Sequence, residues 1–147
     1  MKTLEEEIFS GAPSISHIEL RPAYAADIPD PFTQPVTECF RAYFPASFPA
    51  STYDAHFATF QAAAASIADK AAGGLAGGWS VEPARHESLG ADGVPGVGKM
   101  FAVFIGWPSL EAHARFKESE HFERMVELLR KGLSGAEMVH VGFERFK

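Results

Sequence analysis

The chain has 147 residues, 46% of them hydrophobic, which is enough to bury one core and too little for two ordinary domains. Its net charge of −6, without a run of Lys or Arg, argues against nucleic acid or a membrane as partner. The single cysteine, Cys39, excludes an internal disulfide and indicates a reducing compartment. Near the N-terminus, Glu5, Glu6 and Glu7 stand where a signal peptide would be apolar. We therefore expect a single cytoplasmic domain, 1–147.

The first element is expected at Ser14–Arg21. Apolar residues alternate there with His17, Glu19 and Arg21, which is typical of a strand with one polar face. Prolines and aromatic residues are then frequent from Pro22 to Pro49. This composition predicts an insertion at about 22–50, either a lid or an interface arm, with a short helix near 36–43.

A helix is predicted next, capped by Ser51 or Thr52 and ended by Gly73 and Gly74. The segment 75–88 reads as a strand interrupted at Pro83, which indicates an edge or a bulge. The glycine-rich tract 90–98 is interpreted as a flexible hairpin connection.

The last third of the chain predicts a strand, a helix and a strand. The segment 99–107 is apolar on both faces, as expected of a central strand. Ser109 is the expected N-cap of one helix that runs to Lys131 and Gly132. The alternating segment 137–146 is the closing strand.

The order of these elements, β-α-β-β-α-β, predicts an α+β, ferredoxin-like fold. Such a fold has a four-stranded antiparallel sheet with two helices on one face. The other face would remain bare and apolar, and a second copy packed sheet to sheet would cover it. We therefore expect a homodimer.

One segment carries a resemblance to a known family. The corner Trp107-Pro-Ser-Leu-Glu-Ala-His113, continuing through Phe116 to Ser119-Glu-His-Phe122, is similar to that of dimeric α+β-barrel proteins, in particular the antibiotic-biosynthesis-monooxygenase-like (ABM domain) group. The strand Val139–Phe143 is similar to that family's last strand. The resemblance implies a dimeric α+β barrel. The family includes cofactor-free oxygenases of aromatic polyketides, polyketide cyclases, decarboxylases, haem-degrading enzymes and stress proteins.

Individual positions narrow what the resemblance implies. The haem-degrading members have an iron-ligating His where this chain has Val126, so haem degradation is disfavoured. Plant-type polyketide cyclases have a Tyr and a His where this chain has Phe116 and Phe122. The first-strand His of those cyclases would correspond to His17.

Three residues are candidates for catalysis. His17 and Glu19 share one strand face, and a carboxylate beside an imidazole suits a general base, although the same residues could be solvated at a sheet edge. His140 on the last strand is either a pocket base or a hydrogen-bonded core histidine. The resemblance implies that His113 packs near Trp107.

The remaining side chains predict an apolar pocket and no metal. His86 and His121 are expected to be solvated, and no HxH, HxxxH or CxxC spacing favours a metal site or another cofactor. Aromatic side chains suit a hydrophobic substrate, although for most of them a place in the core is the better interpretation. The candidate substrate-binding residues are Tyr53, His56, Phe57, Phe60, Trp79, Phe104, Trp107 and Phe116.

The leading functional hypothesis is a cofactor-independent enzyme of secondary metabolism. A histidine base would act on a hydrophobic, aromatic, polyketide-like substrate in a cyclase, isomerase or decarboxylase reaction. One alternative is a cofactor-free monooxygenase of phenolic or anthrone-like substrates, and another is a non-catalytic binding or stress-response protein. The direction in which His17 points is the observation expected to separate enzyme from binding protein.

Overall fold

The structure, a computed structural model, describes residues 15–21, 30–66, 74–91 and 94–142. No helix within these ranges is long and apolar enough to cross a membrane. A single 3₁₀ turn, Pro31–Thr33, precedes the second strand. The elements follow in the order β1 (Ile18–Leu20), β2 (Val36–Pro45), α1 (Ala50–Ser66), β3 (Leu75–Ser80), β4 (Ala84–Ala91), β5 (Val94–Trp107), α2 (Leu110–Lys117), α3 (Phe122–Arg130) and β6 (Gly135–Val141).

The strands form one antiparallel sheet in the order β1-β3-β5-β2-β6, with β4 paired to β5 beyond the end of β3. A βαββαβ unit is formed, in chain order, by β2, α1, β3, β5, the α2–α3 pair and β6. Its strands lie in the sheet in the order β3-β5-β2-β6. This is the ferredoxin-like arrangement. The predicted α+β class is therefore confirmed, with a six-stranded rather than a four-stranded sheet.

The prediction of a helix near 36–43 is wrong. This segment is β2, a central strand that pairs with β5 on one side and β6 on the other. The alternation of β2 places Phe40, Ala42 and Phe44 in the core. Pro35 and Pro45 lie at the two ends of the strand, where they remove few of its hydrogen bonds to the neighbouring strands. Residues 36–45 are thus neither a lid nor an arm, and residues 22–29 of the predicted insertion lie outside the described residues.

The strand predicted at 14–21 is present as β1, but it is not the first strand of the βαββαβ unit. It is an added edge strand that pairs only with β3 within the described sheet. The correspondence between His17 and the first-strand His of the cyclases is therefore wrong, because that position belongs to β2.

The interruption predicted at Pro83 is confirmed as a bulge. β3 pairs with β5 as far as Trp79 opposite Phe101, and β4 resumes with Ala84 opposite Gly98. Four residues, 80–83, on one side thus lie opposite two, 99 and 100, on the other, which bends the hairpin that follows.

The glycine-rich tract is mostly strand rather than a loose connection. A Cβ at Gly90 would lie 1.7 Å from the carbonyl oxygen of Val94, and one at Gly96 would lie 2.0 Å from that of Leu89. Glycine at these positions lets β4 and β5 approach closely. Residues 92–93, between the two strands, lie outside the described residues.

The single helix predicted after Ser109 is divided into α2 and α3. The N-cap is confirmed, because the Ser109 hydroxyl accepts a hydrogen bond from the amide of Ala112 at 3.0 Å. Ser119 interrupts the helix, and its hydroxyl donates to the carbonyl of Phe116 at 2.7 Å. The closing strand begins at Gly135 rather than 137, and residues 143–147 of its predicted span lie outside the described residues.

The core lies between the helices and one face of the sheet. Tyr53 is fully buried in it, and its hydroxyl donates to the carbonyl of Leu129 at 2.6 Å, which ties α1 to α3. The other large core side chains are Phe40, Phe44, Phe57, Phe60, Phe101, Val103, Ile105, Trp107 and Met125.

Replacing Tyr53 by Phe tests this tie. Y53F leaves the Leu129 carbonyl without its donor, so we expect the free energy of unfolding in urea to fall by about 1–2 kcal/mol. The control is T59A, because the Thr59 hydroxyl donates to its own helix on an exposed face. T59A should cost less than about 0.5 kcal/mol. Equal losses for the two variants would contradict a structural role of the Tyr53 hydroxyl.

Candidate active site

A buried glutamate lies near the start of β2. Glu38 is directly opposite Ile105 of β5 and His140 of β6, and directly paired residues point to the same side of a sheet. That side carries the helices, because Phe40, next in the same alternation, lies in the core. Glu38 and His140 therefore share the helix-covered face.

The corner between β5 and α2 brings two aromatic rings to the same place. Trp107 ends β5, and after the Pro108–Ser109 turn His113 lies in the first turn of α2. The ring of His113 stacks on Trp107, with centroids 4.6 Å apart and planes 22° apart. Phe116 packs against the same Trp107 ring at 5.4 Å.

These side chains form a continuous polar chain, which we call the Glu38 relay (Glu38, His113 and His140). Trp107 Nε1 donates to Glu38 Oε2 at 3.0 Å, and the same oxygen lies 3.2 Å from Nε2 of His113. Nδ1 of His113 lies 2.7 Å from Nε2 of His140, within hydrogen-bond distance. The predicted contact of His113 with Trp107 is confirmed, and His140 is joined to it.

The carboxylate decides how protons are placed along the relay. An ionised Glu38 favours the tautomer of His113 that carries its proton on Nε2, which leaves Nδ1 as an acceptor. His140 Nε2 then donates to that Nδ1, so the lone pair of His140 is on its own Nδ1. The relay therefore ends in a basic nitrogen on an exposed residue.

Burial falls steeply along the relay. Glu38 is 6% exposed and His113 is 4% exposed, whereas His140 is exposed. Burial raises the pKa of Glu38, although the Trp107 hydrogen bond and the charge of Lys117 oppose the rise. Burial also lowers the pKa of His113 to about 4, and the positive charges of Lys117 and His140 add to this. His113 is thus neutral at pH 7.

The same three residues are those that could hold a metal ion. One ligand atom from each lies within 4.8 Å of the others. Two ligands of one tetrahedral ion stay about 3.3 Å apart, however, and the two histidine nitrogens are separated by a hydrogen-bond distance of 2.7 Å. The geometry is thus that of a hydrogen-bonded chain, and a metal ion would have to spread the ligands.

The other two predicted catalytic residues lie elsewhere. The His17 side chain is 73% exposed and contacts the Glu82 carboxylate through Nδ1, and its amide donates to the same group at 2.9 Å. Glu19 is exposed on β1, at the far edge of the sheet from β6. The structure therefore does not bring His17 and Glu19 to His140. Both face water, which is the orientation expected of the non-catalytic binding protein, so these two residues give no support to the enzyme hypothesis.

Most predicted substrate-binding residues serve the core. Trp79 donates its Nε1 to Asp54 at 2.8 Å and packs on Phe101, and the Nδ1 of His56 is buried without a hydrogen-bond partner. Phe104 is on the opposite sheet face, where its ring contacts Phe32 at 5.0 Å. Of the predicted substrate-binding residues, Tyr53, Phe57 and Phe60 are fully or nearly buried. Trp107 and Phe116 lie beside the Glu38 relay.

Two residues were missed or misjudged from the sequence. Glu38 was overlooked, although a carboxylate in phase with Phe40 and Ala42 is the signal of a charged residue on a buried face. The prediction that His86 is solvated is wrong, since its side chain is only 13% exposed. The prediction for His121 is confirmed, because this residue is exposed beside Glu120.

Comparisons with known proteins return structural likenesses only. No family profile matches the chain, and no curated protein matches it. A mutant of SnoaB, a cofactor-independent oxygenase from Streptomyces nogalater, shares 15% identity over 76% of this chain and 94% of its own, with a TM-score of 0.46. A dimeric ferredoxin-like protein of unknown function from Thermobifida fusca shares 11% over 76% and 94%, with a TM-score of 0.47. A hypothetical Arabidopsis thaliana protein shares 8% over 80% and 96%, with a TM-score of 0.48. The fold assignment rests on this chain's own strand order.

The low pKa of His113 predicts a pH dependence of stability. Between its ordinary value of 6.5 and about 4, the unfolded chain binds a proton at this residue and the folded chain does not. The free energy of unfolding should therefore fall as pH is lowered through this window, by at most about 1.4 kcal/mol per pH unit from this group.

Urea unfolding of wild type and H113Q at pH 7, 5.5 and 4.5 checks this expectation. Glutamine cannot take up the proton, so the variant should lose less stability across the window, while all other titrating groups stay common to both proteins. Parallel profiles would show that His113 titrates normally in the folded state.

Proposed function

We propose that the protein is a cofactor-independent enzyme of secondary metabolism that transfers a proton from a small, hydrophobic, aromatic polyketide-like substrate to His140. The single observation that carries the proposal is the Glu38 relay, in which a buried carboxylate and a neutral histidine stand behind an exposed one. Such an arrangement holds the tautomer of the outer imidazole and leaves its second nitrogen free to accept a proton.

The relay specifies the role of each residue. His140 Nδ1 accepts the proton from an acidic C–H or O–H bond, and the substrate keeps the electron pair as an enolate or phenolate. The positive charge on His140 is stabilised through its Nε2–H hydrogen bond to His113, whose other nitrogen faces Glu38. His113 and Glu38 are positioning residues, since only His140 is exposed to a substrate.

Apolar surface adjoins the proposed base. Met138 is two residues before His140 on the same strand face and is 46% exposed. Phe116 packs on Trp107 directly behind the relay. These contacts support a hydrophobic substrate, and the anion it forms would be rearranged in a cyclase, isomerase or decarboxylase reaction.

The proposal is tested by hydrogen exchange on a substrate analogue. Anthrone has an acidic C–H bond, and its deuterium uptake from D₂O can be followed by NMR with oxygen excluded. We expect wild type to accelerate the exchange and H140A to be slower on the order of a hundredfold. E38Q should lower the rate by a smaller factor. The control is H121A, an exposed histidine beside Glu120, which should leave the rate unchanged.

Three further outcomes decide the chemistry. Equal exchange rates in wild type and H140A would refute the base. Uptake of oxygen by the same mixture in air would instead assign a cofactor-free monooxygenase, in which the phenolate reacts with oxygen. A loss of exchange on adding a chelator would show that the three residues act as metal ligands rather than as a relay.

We also propose that the protein is a homodimer that pairs through the sheet face opposite the helices. A row of side chains crosses this face, with Cys39 of β2 directly between Phe104 of β5 and Val139 of β6. Val139 is 44% exposed in the single chain, and neighbouring Val141 is half-buried. A second copy would remove this apolar row from water.

Light scattering coupled to size exclusion tests the dimer. V139E places a charge at the β6 end of the row, so we expect it to shift the protein to a monomer. The control is V81E, because Val81 is 66% exposed in the bend between β3 and β4 and lies off the row. A wild-type monomer, or a dimer that V139E leaves intact, would contradict an interface on this face.

A further inference from the structure

A second polar cluster lies on the face of the sheet that the helices do not cover. Glu137 is directly opposite Arg41, in the alternation opposite to Glu38 and His140. It accepts a hydrogen bond from Tyr43 at 3.1 Å and forms an ion pair with Arg41 at 3.0 Å. His86 completes the cluster from β4.

The β4–β5 hairpin reaches this cluster by bending over the sheet. In the sheet order β4 is separated from β6 by β5 and β2, yet His86 lies 3.0 Å from Glu137 of β6. The His86 ring stacks on Tyr43, with centroids 4.0 Å apart and planes 9° apart. The hairpin therefore covers the Tyr43 end of this face and fixes the plane of the imidazole. The expectation that this face is bare and apolar is thus wrong at this end.

Three side chains of the cluster form a serine–histidine–glutamate sequence of contacts. Ser88 Oγ lies 2.7 Å from His86 Nδ1, and His86 Nε2 lies 3.0 Å from Glu137 Oε1. The distances are those of a nucleophile held by a base and a base held by a carboxylate.

The backbone defines the tautomer of His86. The amide of Ser88 donates to His86 Nδ1 at 3.1 Å, so this nitrogen carries the lone pair, which the amide shares with the Ser88 hydroxyl at 2.7 Å. The proton is then on Nε2 and is donated to Glu137. Burial raises the pKa of Glu137, but Tyr43, Arg41 and His86 together outweigh it and hold that pKa below its ordinary value, so the carboxylate stays ionised.

Ser88 fits here because the facing residue on β6, Gly135, has no side chain. A Cβ at Gly135 would lie 2.5 Å from both Cβ and Oγ of Ser88. Any larger residue at this position would displace the hydroxyl from His86. The φ of Gly135 is not in the left-handed region, so the backbone itself does not require glycine there. The space that Ser88 occupies is what requires it.

We propose that Ser88, His86 and Glu137 form a second catalytic site, independent of His140, that cleaves small carboxylic esters by acyl transfer to Ser88. Ser88 Oγ attacks the ester carbonyl carbon and its proton passes to His86 Nδ1. The bond between that carbon and the alcohol oxygen breaks, and His86 returns the proton to the departing alcohol. Water then attacks the acyl-serine, so that a carboxylic acid is released and Ser88 is regenerated.

The site is compatible with the proposed dimer. The apolar row of Cys39, Phe104 and Val139 is separate from the end of the face that the hairpin covers, where Tyr43 pairs with Gly135. A second copy on the row would leave the Ser88 side of the hairpin at its rim.

The first experiment is labelling of the full chain with a fluorophosphonate, followed by peptide mass spectrometry. We expect the adduct on Ser88, no adduct at this peptide in S88A, and labelling on the order of a hundredfold slower in H86N. The matched control is S119A, because the Ser119 hydroxyl donates to the backbone carbonyl of Phe116 rather than to a histidine. Labelling of Ser88 should be unchanged in S119A.

The second experiment is hydrolysis of p-nitrophenyl acetate. E137Q should lower kcat with little change in KM, because Glu137 positions His86 and does not touch the ester. G135A should slow the reaction by crowding Ser88, and circular dichroism checks that each variant is folded.

Two results would overturn the proposal. One is a wild-type protein without an adduct at Ser88, and the other is an adduct that forms at the same rate in folded H86N. Neither result bears on proton exchange at His140, which is measured with a different compound on the other face of the sheet.

Discussion

The desolvation of one carboxylate organises this end of the molecule. Glu38 is on the core face of a central strand, where an ionised group is costly unless other groups donate to it. Trp107 and His113 come from the corner that follows β5, and His140 comes from the edge strand. The requirement to compensate Glu38 thus joins three elements that are far apart in sequence.

Strand alternation divides the chemistry of the protein between two faces. On β6, His140 points toward the helices, whereas Glu137, three residues earlier, points away from them. On β2 the corresponding pair is Glu38 and Arg41. These two strands therefore supply Glu38 and His140 to the relay on the covered face. On the other face they supply Arg41 and Glu137 to the second cluster, whose Ser88 and His86 come from β4.

The sequence predicted the fold better than it predicted the position of the chemistry. The Ser109 cap, the apolar strand before it and the break at Pro83 are local signals, and each appears in the structure. The strand β2 was missed because prolines at its ends hid its alternation, and Glu38 was missed with it.

The site could be predicted only in part because its contacts are non-local. His140 was recognised as a polar residue on an otherwise apolar strand. Its direct partner, His113, is 27 residues away, and His113 in turn contacts Glu38 on β2. No spacing rule links these positions. Because of its alternation, the segment that forms β1 was predicted to be the first strand of the βαββαβ unit. The base was therefore predicted to be His17, which lies at an exposed edge.

The division of the second helix has a consequence for how the protein opens locally. With eight residues, α2 is too short to be stable by itself, and the Tyr53 hydroxyl bond that ties α3 to α1 does not reach it. Its attachments include the Ser109 cap, the Trp107 stack and the contacts of His113. The Glu38 relay thus also attaches α2 to the sheet. The amide protons of this helix should exchange with solvent at a rate that reports the integrity of the site, while those of α1 and α3 report the core.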